Sequence, residues 1–183
     1  GILGSESQPL GRWAIPFTVL GTVGVINAIN MIDGVDGLAG TICVVALGIL
    51  GVVALGNGAS EAAHIAFGLS CATLAFLYFN MRLPGRAKAA VFLGDAGSML
   101  LGYAISWLLV TLTQQPVAAI NPVTALWLLA VPLIDTVSIM FRRILKGRSP
   151  FAPDKEHLHH ILMVAGYSVC QTTLIMGALS LTV

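Results

Sequence analysis

Stretches of about twenty apolar residues follow one another along this chain, and nearly every charge falls in the intervals between them. A stretch of that length matches one helical crossing of a bilayer core. The candidate crossings cover 13–32, 37–56, about 62–79, about 96–112 and 122–141, and a sixth begins near Tyr167 and is cut short by the chain end. Pro122 suits the start of the fifth, because the first residue of a helix has no use for the N–H that proline lacks. Composition then narrows the solvent. Only 9% of residues are charged and 57% are hydrophobic, whereas roughly 25% charged is usual in soluble domains. Lipid is the solvent that suits such a chain. A net charge of +1 also excludes a nucleic-acid partner, which needs a basic excess. The predicted fold is all-α, a polytopic transmembrane helix bundle of about six spans in a single domain over 1–183.

Gly48, Gly51, Gly68 and Gly102 fall within these spans, where small residues let membrane helices approach closely. Cys43, Cys71 and Cys170 lie in apolar runs without metal-ligand spacing and read as small buried hydrophobes. Alternate crossing places the loops at 33–36, 80–95 and 142–166 on one side. Those loops hold eight of the nine basic residues, Arg12 being the exception. Lys and Arg near span ends mark the cytoplasmic side, so these loops are expected to face the cytoplasm. They also collect Asp33, Asp36, Asp95, Asp154, Lys155, Glu156 and three histidines, which puts the chemistry at that face.

Three clusters could carry it. In Asn27–Leu38 (NAINMIDGVDGL), two Asp-Gly dipeptides follow the first span. Asp-Gly is a turn signal, and a capped turn is the plain reading. Carboxylates at the lipid boundary also suit Mg2+, which takes one or two of them plus substrate oxygens. Asn27, Asn30, Asp33 and roughly Asp36 are spaced to share a helix face. In Phe92–Ser98 (FLGDAGS), Asp95 opens the fourth span as either an N-cap or a metal ligand between glycines. In Ser149–His160 (SPFAPDKEHLHH), two prolines imply a structured loop. His157, His159 and His160 lack the companions of a zinc site, so they fit phosphate binding or a polar surface loop. Arg142 and Arg143 just before it would set topology, touch anionic headgroups or grip a diphosphate. Asp135, inside the fifth span, serves a structural hydrogen bond or catalysis equally well.

Together, in this order and on one membrane face, the three stretches resemble the polyprenyl-phosphate N-acetylhexosamine-1-phosphate transferases (glycosyltransferase family 4). The pattern His157-Leu158-His159 after Pro153-Asp154 resembles the undecaprenyl-phosphate GlcNAc-1-phosphate transferase branch, in place of the three adjacent histidines of the phospho-MurNAc-pentapeptide branch. The resemblance implies transfer of GlcNAc-1-phosphate from UDP-GlcNAc to undecaprenyl phosphate with release of UMP, as the first step of a lipid-linked surface glycan. It implies that Asp33, Asp36 and His157 are catalytic and that Asp95 binds Mg2+, with Mn2+ as a substitute. It also implies that Asn27, Asn30, His159, His160, Arg142 and Arg143 bind substrate. The implied setting is the bacterial inner membrane, with membrane lipid as a partner and a homodimer as one compatible assembly. Family members carry an Asp-Asp pair on an earlier loop, and no adjacent acidic pair occurs here. The chain is thus expected to be a C-terminal portion of a longer enzyme, inactive alone. The same reaction with another UDP-N-acetylhexosamine or UDP-MurNAc-pentapeptide is the neighbouring reading. A transporter is the reading from another class, although it calls for acids deep in several spans and only Asp135 comes close.

Overall fold

The computed structural model describes residues 11–82, 85–86, 88–114, 119–149 and 157–182. Its described residues form helices and no strands, as an apolar chain must when lipid offers its backbone no hydrogen bonds. A short 3-10 turn over Gly11–Trp13 leads into α1 (Ala14–Ile32), followed by α2 (Leu38–Gly56), α3 (Ser60–Asn80) and α4 (Gly94–Thr113). These four are long and apolar enough to cross a membrane. They end within about two residues of the boundaries read from hydropathy.

The fifth stretch behaves differently. It forms α5 (Pro122–Trp127) and α6 (Ala130–Leu145), broken at Leu128–Leu129. Pro132 explains the break, because it cannot donate to the carbonyl four residues earlier, which is that of Leu128, and its ring crowds that carbonyl. The chain ends in α7 (Leu158–Val164) and α8 (Val169–Thr182).

Helix association in lipid gains little from the hydrophobic effect, since acyl chains are as apolar as leucine, so close packing has to supply it. α2 lies at the centre, against α3, α8 and α4, and α1 packs along α4. Glycine makes the tightest contacts. A Cβ at Gly102 of α4 would sit 2.8 Å from Ile26 Cα of α1, and one at Gly51 would sit 2.7 Å from the Phe67 ring. Gly48 and Gly68 face open space and play no such part. Ile29, Ile32, Leu38, Ile42, Leu50 and Ile105 are fully enclosed between these helices. Ile15 and Leu20, by contrast, are 77% and 71% exposed, an apolar exterior suited to lipid. This is a membrane protein. Cys43 is buried as expected, but Cys71 points outward on α3 and Cys170 is only half-buried, because each follows the helix face it falls on.

The interhelical loops at one end are tied together by side chains. Gly37 turns the chain into α2 at φ +83, a left-handed conformation that glycine adopts without strain, and a Cβ there would press on Met81 Cγ at 2.9 Å. Its N–H donates to Asn80 Oδ1 at 2.8 Å, and Asn80 Nδ2 donates to the Val91 carbonyl at 2.8 Å. One buried amide at the end of α3 thus pins both the 33–37 and the 88–93 segments.

Candidate active site

The site begins where α1 ends. Asn30, in its last turn, donates through Nδ2 to Asp95 Oδ1 (3.1 Å) and to Ser98 Oγ (2.9 Å), both on the first turns of α4. Asp95 is therefore not an N-cap. It is the second residue of α4, whose N-cap position is Leu93. Asp33 is the C-cap of the same end of α1 and faces the same point, where it accepts from the Gly94 backbone N–H. Its carboxyl is pushed up to about 6, chiefly by burial and further by the charge of Asp95, while the Gly94 N–H pulls the other way. Asn27, one turn back, is exposed.

Asp36 leaves this group, because α1 stops at Ile32 and the turn carries it off the helical face that the spacing suggested. Its Oδ2 takes the Arg82 Nε at 2.7 Å and the Ala89 N–H at 3.4 Å, and its carbonyl takes the Thr173 hydroxyl at 3.2 Å. The two aspartates of the first cluster thus do different work. Asp33 joins α4, and Asp36 ties the 33–37 turn to the segment after α3 and to α8.

The third cluster arrives from the opposite end of the sequence. Residues 150–156, including Asp154, Lys155 and Glu156, lie outside the described residues. His157 occupies the N-cap position of α7 without capping it. Asp135 of α6 does so instead: its Oδ1 accepts from the Leu158 N–H and its Oδ2 meets His157 Nδ1, both at 2.9 Å. His159 is buried and lies flat against His157, ring centroids 5.4 Å apart and planes within 5°. It also packs on the first cluster, since a Cβ at Gly34 would lie 3.5 Å from its Nε2. His160 leans on His159 at 4.2 Å. Among the described residues neither ring nitrogen of His159 has a hydrogen-bond partner. Burial above all, with the neighbouring His160 and His157 adding to it, pushes that ring down to about 4, so it is neutral at pH 7.

All three sequence clusters therefore meet at one end of the bundle, through Asn30–Asp95 and through His159–Gly34. Arg142 and Arg143 part company, as neighbours on a helix must. Arg143 is 2% exposed, whereas Arg142 is exposed at the rim of a cleft of about 270 Å³. That cleft runs along the apolar side of α6, past Ile134 and Trp127, and reaches Asp135. Asn80 and Arg82 are structural members of the site that motif reading passed over, and Ser98 is one that it included in the second cluster without a role. Polar side chains closing or opening an apolar span were their only signal.

Site and fold define a membrane-embedded helix bundle that gathers carboxylates, amides and imidazoles at the mouth of its spans. The model of glycosyl transferase family 4 matches residues 1–113. An undecaprenyl-phosphate alpha-N-acetylglucosaminyl 1-phosphate transferase of Haemophilus influenzae is 44% identical over 179 residues, which is 98% of this chain and 50% of that protein. Transferases of the same name from Pasteurella multocida and Salmonella typhi are each 46% identical, over 116 and 112 residues. Those matches cover 63% and 61% of this chain and 32% and 30% of the relatives. The chain belongs to glycosyl transferase family 4. It spans about half the length of the curated relatives it matches.

Proposed function

We propose that the protein transfers GlcNAc-1-phosphate from UDP-GlcNAc to undecaprenyl phosphate. A phosphate oxygen of the lipid bonds to the β-phosphorus of the donor, the bond from that phosphorus to the oxygen bridging to the α-phosphate breaks, and UMP leaves with the bridging oxygen. The observation that carries this reading is the junction of Asn30, Asp33, Asp95 and Ser98 at the lipid boundary. Phosphoryl transfer asks a protein mainly for positioning and for neutralisation of charge. A fixed junction at the end of the spans can meet a lipid phosphate from the bilayer and a nucleotide sugar from water. The eight basic residues among these loops support a cytoplasmic placement in a bacterial inner membrane.

Mg2+ fits the donor set, with Mn2+ able to replace it. Asp33 and Asp95 are close enough for the charge of one to raise the other, a repulsion that a cation between them would relieve. No group of three His, Cys, Asp or Glu side chains among the described residues could enclose a metal. That suits an ion held by one or two carboxylates and by substrate oxygens. Asp95, with Asp33 beside it, would hold the ion, which when bound offsets the charge of the diphosphate. Asn30 keeps the Asp95 carboxylate aimed, Asp36 and Arg82 keep the turn in place, and Arg142 offers a cation at the rim. His159, neutral at pH 7, can serve a phosphate only as a neutral donor.

The test follows UMP release in membranes carrying this chain, alone and extended to the length of its relatives, with UDP-GlcNAc, undecaprenyl phosphate and Mg2+. Turnover is expected in the extended form, lost in Asp33→Asn and Asp95→Asn, abolished by chelation and restored by Mg2+ or Mn2+. Turnover with a different UDP sugar alone would replace the donor. Activity that survives chelation and both substitutions would overturn the reading.

A further inference from the structure

Asp135 belongs to none of the three clusters, yet it makes a buried polar contact at the site. Asp135 and His157 are 8% and 5% exposed. A carboxylate in such a place is costly unless both oxygens are answered. Here Oδ1 accepts the Leu158 backbone N–H and Oδ2 faces His157 Nδ1, each at 2.9 Å. Oδ1 is taken up by a backbone N–H that can only donate, which leaves Oδ2 as the acceptor facing the ring. When Nδ1–H donates to that oxygen, a neutral imidazole carries its bare lone pair at Nε2. The flat stack of His159 on His157, itself packed on Gly34, keeps the ring from turning away.

We propose that Asp135 is a positioning residue: it holds His157 as the Nδ1–H tautomer, so that Nε2 is the atom that accepts a proton during transfer. The proton comes from a hydroxyl of the acceptor phosphate and passes to Nε2. The imidazolium so formed pairs with the Asp135 carboxylate, which stays ionised, and the proton then leaves on the phosphate of the released nucleotide. This step rests on the proposed function, whereas the tautomer assignment rests on the geometry alone.

Asp135→Asn separates tautomer from scaffold. Asparagine has the same shape but offers one acceptor and one NH2. The Leu158 N–H cannot reverse, so the amide oxygen stays on it and caps α7 as before. The NH2 then faces His157 Nδ1, and the ring can satisfy it only by moving its hydrogen to Nε2. The first readout is nitrogen NMR of histidine-labelled protein in lipid nanodiscs, with His157 assigned from the His157→Asn variant. The wild type should show a protonated Nδ1 and a bare Nε2, and Asp135→Asn the reverse with little change in melting temperature. In turnover by the form extended to the length of its relatives, kcat should fall by roughly 100-fold, the size of a general-base contribution. KM for the nucleotide sugar should hold within about threefold, because the substitution removes a proton acceptor used in transfer and leaves the ring in place. Asp135→Glu, which restores a carboxylate one methylene further out, should recover part of the loss. A purely structural Asp135 would lower the melting temperature and leave the kcat-to-KM balance unchanged. A protonated Nε2 in the wild-type protein overturns the assignment, and an unchanged kcat in a tautomer-reversed variant overturns the proton role. Absence of turnover with any UDP sugar in the extended form would count against the proposed function, and the nitrogen spectra would still decide the assignment.

Discussion

Gly102 couples the packing of the bundle to its site, and Gly102→Ala measures that coupling. The added Cβ would sit 2.8 Å from Ile26 Cα, with Ile26 N and the Val25 carbonyl oxygen at 3.5 Å. All three are backbone atoms of α1, so no side chain can swing aside. Reaching an ordinary carbon–carbon contact of roughly 3.5–4.0 Å requires α1 and α4 to part by about 1 Å. Residues 30 and 98 lie one turn nearer the site than 26 and 102, about 6 Å along each helix axis, and rigid helices carry the shift that far. The Asn30–Ser98 hydrogen bond, 2.9 Å long, would open to nearly 4 Å, well beyond the range in which such a bond survives. Overpacking of this kind costs about 1–3 kcal/mol. Replacing glycine by alanine inside a helix returns up to about 1 kcal/mol. Gly68→Ala is the control, because nothing lies within 4 Å of its Cβ and only the helix gain remains. The helix gain is common to both variants and cancels, so Gly102→Ala should melt below Gly68→Ala in lipid nanodiscs by the equivalent of the overpacking cost, about 1–3 kcal/mol. In the complete enzyme it should also lose UMP release more steeply than stability. Equal melting of the two alanine variants, with unchanged turnover, would refute the claim that this seam aligns Asn30 with Asp95.

Two further outcomes follow from other parts of the structure. Asn80→Ala leaves the buried Gly37 N–H without an acceptor and should cost about 1–3 kcal/mol in thermal melting, with Asn80→Asp milder because it keeps that acceptor; a loss equal in both variants would show that the Val91 contact dominates. The pH dependence is a balance of two opposed groups. Asp33, with its carboxyl raised from 3.8 to about 6, holds its proton more tightly when folded, so its contribution to stability falls as pH rises through that window. His159, lowered from 6.5 to about 4, binds its proton more tightly when unfolded, so its contribution falls as pH drops from 6.5 towards 4. Wild-type melting should thus vary little between about pH 4 and 6. Asp33→Asn should unmask a melting temperature that climbs with pH up to about 6.5, and a flat profile in that variant would contradict the burial of His159.

The long helices could be read from the sequence because lipid leaves the backbone no alternative. An apolar run of some twenty residues has to bond within itself, so α1 to α4 appear where hydropathy places them. The site residues could be nominated for a related reason, since Asp33, Asp95 and His157 are too polar to lie beside lipid without purpose. The break at Leu128–Leu129 was present in the sequence as well, in Pro132, and is lost only when hydropathy is averaged over a whole span.

Partners are another matter. Asn30 meets Asp95 across 65 residues, Asp36 meets Arg82 across 46, and Asp135 meets His157 across 22. Nothing in the hydropathy of α1 says that it packs on α4 and not α3, because every lipid-spanning helix is apolar on all sides and no polar face marks its neighbour. The sequence alone therefore determined the solvent, the long helices and the short list of groups able to do chemistry. Tertiary structure alone decided which aspartate faces Asp95, which one anchors a turn, and which one holds the histidine. Those choices hang on close backbone approaches such as Gly102 against Ile26, which depend on the shapes of two surfaces at once and are carried by neither segment by itself.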